Sequence, residues 1–224
     1  MKEHNLEKLK SIQSFKETIG RTYLFIHSLR SAISATEEVL EFTHAKENPG
    51  YKKFEKSLEF DESRKAYLYE LGFIALFSNF EFFMSNFLKE LFLKYPSSLK
   101  SEKMIRLEEI NDFKDVKELK EYFIDLVAIE KSYDVKSWLG CLSQKFNIEV
   151  FTTKKSLQRF LMLNSLRNLY MHAEAVTNSK FRNEMKNFLK TKIPLGQKIS
   201  LDRRKYFEVL YHELNFIVEN LNKN

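Results

Sequence analysis

Residues 70–96 read ELGFIALFSNFEFFMSNFLKELFLKYP, the most apolar stretch of the chain. A stretch so long and so rich in Phe and Leu reads as the central helix of a helical protein. It runs to about Tyr95 and stops before Pro96, because the residue ahead of a proline is pushed out of helical geometry. Asp61 is placed to cap its start. Glu81 sits inside it, between Phe80, Phe82 and Phe83. Burying that carboxylate alone would be costly, so it lies at a rim or in a paired polar site, the exposed or capped glutamate being the commoner case.

The composition of the whole chain agrees with helix. The chain has 224 residues, 43% hydrophobic and 30% charged, with 21 Phe and 10 Tyr but only 5 Gly and 3 Pro. Short strands joined by tight turns would need more of both breakers. This length supports one medium domain with a real core.

Residues 5–45 read as helix, either continuous or as two helices meeting near Gly20. Leu6, Leu9, Ile12, Phe15 and Ile19 recur at three- and four-residue steps. The segment 44–50, HAKENPG, is a loop by its Asn-Pro-Gly. Residues 101–132 carry charges of both signs. Phe113, Val116, Leu119, Phe123, Leu126 and Val127 make one apolar stripe there, which describes a surface helix. A further helix over 134–148 starts at Asp134. The helix containing NSLRNLYMHAE (164–174) starts at Thr152 or Thr153, a turn leads to a helix over about 179–190, and Ser200 or Asp202 opens a last helix to about Leu221. The loop between the last two has room for one very short strand near 198–201. The expected architecture is an all-α up-and-down bundle, residues 51–224, with residues 1–50 as an N-terminal helical extension.

Net charge is +6, and its excess is local. Lys180, Arg182, Lys186, Lys190, Lys192, Lys198, Arg203, Arg204 and Lys205 are opposed only by Glu184 and Asp202 in that segment. Such a cluster attracts a polyanion such as RNA, although a solvated lysine-rich surface is the commoner meaning of a charge run. Cys141 is the one cysteine, so no intramolecular disulfide forms. The N-terminus MKEHNLEKLKSIQ lacks an apolar signal core, and the uninterrupted apolar runs are too short to span a bilayer. A cytoplasmic protein with no membrane partner is expected. No two histidines stand at zinc spacing, and HExxH, GxGxxG, Walker and GxSxG motifs are absent. No metal and no cofactor is expected.

In the helix around 164–174, Phe160, Leu163, Leu166, Leu169, Tyr170 and Ala173 share one side. Asn164, Asn168 and His172, at i, i+4 and i+8, form a polar stripe, with Asn168 one turn below His172 and able to orient its ring. Arg167 points about 140° away from His172. Two copies facing each other across a dimer would bring one chain's arginine toward the other's histidine. His172 lies near the helix C-terminus, whose dipole favours imidazolium and suits acid–base work on a phosphodiester. Arg167 suits charge building on phosphoryl oxygens. An Arg and a His five apart are common by chance, so a polar helix face is the bland alternative.

With these neighbours, the sequence resembles a HEPN domain. RNLYMH, giving Arg167, Asn168 and His172, is similar to that family's arginine, polar residue and histidine. FIALFSNFEFFMSNFLKELFLKYP resembles the aromatic-and-Glu helix of bacterial stand-alone members, which makes Glu81 an auxiliary candidate, with Asn164. NSKFRNEMKNFL and LGQKISLDRRKYFEVLYHELNFIVENL resemble the turn, basic helix, Gly-containing loop and closing helix. The likeness covers roughly residues 60–222. It implies a dimerising bundle and a metal-independent RNase in which the RNA 2′-OH attacks the adjacent phosphate. His172 would move protons, Arg167 would steady the phosphorane and Asn168 would position His172 or the phosphate. Lys180, Arg182, Lys186, Lys198, Arg203 and Arg204 would hold RNA. Such proteins act as toxins or as abortive-infection and antiviral effectors, with an antitoxin or defence-system partner. Glu174 stands where members paired with a nucleotidyltransferase carry Tyr, so control by adenylylation is not expected. The alternative is a non-catalytic HEPN-like subunit that binds RNA or protein.

Overall fold

The computed structural model describes residues 6, 9–42, 50, 62–99, 106–173, 175–186, 193–199 and 203–223. The fold is an all-α bundle. Its helices are α1 (Lys10–Phe42), α2 (Glu62–Lys94), α3 (Leu107–Ile110), α4 (Val116–Ser132), α5 (Val135–Phe146), α6 (Lys154–Ala173), α7 (Ser179–Met185) and α8 (Arg203–Asn222), with a 3-10 turn at Pro96–Ser98. Among the described residues the only β pairing is an isolated antiparallel bridge between Val176 and Lys198. It falls at the start of the stretch expected to hold a short strand.

Local chemistry sets the helix ends. The Asp115 carboxylate accepts from Glu118 N at 2.8 Å while the Glu118 carboxylate accepts from Lys114 N at 2.8 Å, a reciprocal cap on α4. Asp134 accepts from Lys136 N and Ser137 N and starts α5. Asn147 closes α5 in the left-handed region, where asparagine is tolerated. Thr153, the second of the two expected caps, accepts from Ser156 N at 3.1 Å. The caps expected at Asp61, Ser200 and Asp202 lie outside the described residues.

The chain forms two compact units. The first comprises Met1–Glu17, Ser78–Leu161 and Glu213–Asn224; the second comprises Thr18–Phe77 and Met162–His212. Helix α1, which makes up most of the extension expected over residues 1–50, contributes buried side chains to both units: Ile12 and Phe15 to the first, Ile19 and Ile26 to the second. In the first unit Phe15 stacks on Phe83 with centroids 4.3 Å apart, and Phe80 meets Trp138 at 5.8 Å and Phe160 at 5.1 Å. Buried Glu213 on α8 accepts from Ser156 Oγ at 3.1 Å and pairs with Arg159, both on α6. In the second unit Tyr23 and His27 of α1, Tyr69 of α2 and Phe207 and Tyr211 of α8 form an aromatic cluster.

Two expected details differ. The buried arc of α4 is Ile124, Val127 and Ala128, and Val116 is 80% exposed. Val116 occupies the first helical position, directly after the Asp115 cap, so the stripe begins later than its sequence pattern implied. Residues Ala66–Lys94 are long and apolar enough to cross a membrane by length and composition. Half of the most apolar window is buried inside the protein, including Phe73, Leu76, Phe77, Phe80 and Phe83, so core packing accounts for that composition.

Candidate functional site

The residues around the arginine–histidine pair belong to the second unit, on the C-terminal half of α6. Leu163, Leu166 and Leu169 are buried and fix which side of the helix faces the core. Asn164, Arg167 and Asn168 are half-buried, and His172 is exposed in the last turn. Arg167 Nη1 donates to Asn168 Oδ1 at 3.0 Å. The expected pairing of Asn168 with the His172 ring is thus replaced by one with the neighbouring guanidinium. A charged donor one residue away is a strong competitor for that amide oxygen.

The segment leaving α6 organises the site. Ala175 takes a left-handed conformation (φ 63) and its N–H donates to Leu169 O at 3.2 Å, ending the helix just beyond His172. A non-glycine residue pays a small strain there. Residues 175–177 then pair with 196–199. Thr177 N donates to Gln197 O at 2.9 Å, Gly196 N to Thr177 O at 2.8 Å and Ile199 N to Ala175 O at 2.9 Å. Buried Thr177 secures the pairing with its hydroxyl, which donates to Pro194 O at 2.6 Å and accepts from Gln197 N at 3.1 Å. Gly196, at φ 71, supplies the left-handed turn this pairing needs. The result holds exposed Lys198 against Val176, on the segment that leaves the histidine turn.

The other candidates divide. Asn178 caps α7 by accepting from Phe181 N at 2.9 Å, and buried Phe181 and Met185 anchor that helix. Lys180 and Lys186 are exposed on it. Arg182 is half-buried, and its Nε is enclosed with no hydrogen-bond partner among the described residues. Arg204 is exposed and ion-paired with Glu208 at 2.9 Å, which occupies part of its guanidinium. Arg203 starts α8, its side chain outside the described residues, as are Lys190 and Lys192. Glu81 is exposed on α2 in the first unit, and Arg167, Asn168 and His172 belong to the second.

Sequence reasoning missed Thr177 and Asn178 as positioning residues. Their types, Thr and Asn in a turn, were the available signal, but the partners of Thr177 lie across the intervening α7. Among the described residues no three His, Cys, Asp or Glu side chains gather to hold a metal ion. No protein-family model, curated protein or solved structure matches the chain.

Proposed function

We propose that the protein is a metal-independent endoribonuclease working by the chemistry of HEPN domains. The observation that carries the reading is an exposed His172 at the end of a core helix, with exposed Lys198 tethered to the segment leaving that turn. Imidazole at a solvent-open helix end suits proton transfer. Lysines nearby suit a phosphodiester backbone. In the reaction the 2′-oxygen bonds to phosphorus as its proton goes to His172, and the P–O5′ bond breaks as a proton returns to the 5′-oxygen. The products are a 2′,3′-cyclic phosphate and a 5′-hydroxyl. Arg167, held by Asn168, faces the charge on the phosphoryl oxygens. Lys180 and Lys186 extend the positively charged path for the RNA backbone, and a second copy completes the site. The biological role is that of a cytoplasmic toxin or antiviral effector restrained by a partner protein.

The engagement of Asn168 by Arg167 favours one rival, a non-catalytic RNA-binding subunit. Incubating the protein with total bacterial RNA in EDTA, beside His172→Ala and Arg167→Ala, decides between them. Cleavage that leaves cyclic phosphate ends and disappears in both variants supports the nuclease. RNA retention without cleavage in any pool, and without growth arrest on expression, sinks it.

A further inference from the structure

The exposed side of α1 within the second unit is unlike an ordinary surface helix. Leu24 and Phe25 are 65% and 64% exposed, and Val39 and Phe42 are 59% and 86% exposed. Between these pairs the exposed positions include Ser28, Ala32 and Ala35. At about 100° per residue they fall on one continuous arc. Surface helices carry charge on such an arc. Here its charges are Arg21 before the first apolar pair and Glu38 beside the second, with none at the exposed positions between. A contiguous apolar surface of this kind marks an interaction site.

We propose that this face docks on the same face of a second copy, with the two helices antiparallel and crossing at Ala32. Reversing the helix about Ala32 sets Phe25 of one copy opposite Val39 of the other, bulky against bulky at both ends. The small middle lets the two backbones approach closely. The same reversal brings Arg21 within about 8 Å, along the axis, of Glu38 in the other copy. That is inside the roughly 10 Å over which charges still interact at moderate salt. A single patch that is complementary to itself under a two-fold is what an isologous dimer requires. A helix lying on a membrane would instead flank its apolar arc with several Lys and Arg, whereas the far end of this arc is acidic. The stripe from Leu24 to Phe42 spans roughly 27 Å. One helix face is at the small end of stable interfaces, so the dimer is concentration-dependent. None of Arg167, Asn168 and His172 lies on α1, and the pairing stands apart from the nuclease reading.

Sedimentation velocity of the full chain over a concentration series, without RNA, gives the first test. A monomer–dimer equilibrium is expected. Arg21→Glu and Glu38→Arg should each weaken it by about tenfold, and the double reversal should recover most of the loss. Ala32→Cys should form a disulfide-linked dimer under mild oxidation. Phe25→Cys should link to Val39→Cys when the two are mixed, and not to itself. Val116→Cys, equally open to solvent on α4, should stay unlinked. A wild type that is monomeric throughout, charge reversals without effect, or Phe25→Cys linking to itself each overturns the proposal. So does flotation with anionic phospholipid vesicles that Phe25→Asp abolishes, if the wild type remains a monomer. A dimer on this face that does not cleave RNA, or cleavage that persists while the charge reversals leave dimerisation unchanged, would separate this inference from the nuclease reading.

Discussion

A Cβ added at Gly72 would lie 2.7 Å from the Phe207 ring and 2.9 Å from Ile26 Cγ1, both on helices packed against α2 in the second unit. The close approach there depends on the missing side chain, and neither neighbour is a flexible tip. Gly72→Ala is therefore expected to destabilise the protein by about 1–3 kcal/mol, although alanine is the better helix former. Urea unfolding checks this, and an unchanged midpoint would mean that Phe207 repacks freely. Two weak acids make a second prediction. Burial raises the Cys141 thiol above its ordinary 9.0. Burial, then the nearby Glu208 carboxylate, raises the Tyr23 phenol above its ordinary 10.0. The folded state holds both protons longer than the unfolded chain. Their contribution is complete below the unfolded values and is lost as pH rises through the folded ones. Stability should be level with respect to these groups below about pH 9 and fall beyond it, beginning with Cys141. In Cys141→Ala the alkaline fall should begin later, whatever the variant's stability at neutral pH. Guanidinium titrations at several pH values would show it.

Among the helices and turns, much was legible because the deciding chemistry is local. Asp134 and Thr153 accept from backbone amides two or three residues on, a distance that sequence spacing reads directly. The stop at Pro96 and the buried arc through Leu163, Leu166 and Leu169 are local in the same sense. Gly20 left open a break in α1, but the helix runs through it with open space around the glycine. Glycine inside a helix costs only about 1 kcal/mol, which the buried Ile19 and Ile26 on either side offset. The loop that holds Lys198 was legible as a loop with a short strand, but its tie to Thr177 was not, because Thr177 finds Pro194 and Gln197 across α7 and the stretch beyond it. That loop gives a third prediction. Thr177→Val keeps the shape and removes the hydroxyl bonds, leaving the Pro194 carbonyl without that donor. A loss of about 1–2 kcal/mol is expected, together with faster amide exchange at Gly196 and Ile199. Exchange unchanged at both amides would show that the backbone pairing alone secures the loop.

For the molecule as a whole, the division into units was hidden from the sequence. Helices α1, α2, α6 and α8 each contribute residues to both units, so no composition shift or linker marks a boundary. The arginine and histidine were legible as a pair, but the geometry of their helix aims them apart by about 140°. If a productive site takes His172 from one copy and Arg167 from the other, it is a property of the assembly. Mixing the two inactive variants tests this directly. In a dimer of one His172→Ala chain and one Arg167→Ala chain, one of the two sites keeps both native side chains and the other has neither. Random exchange makes half of the dimers mixed, each with one working site, so about a quarter of wild-type cleavage should return. The recovery should vanish when either variant is mixed only with itself. It should grow with time after mixing, at the rate at which subunits exchange. If each chain builds its own complete site, the mixture stays as inactive as its components, because every site then carries one of the two substitutions.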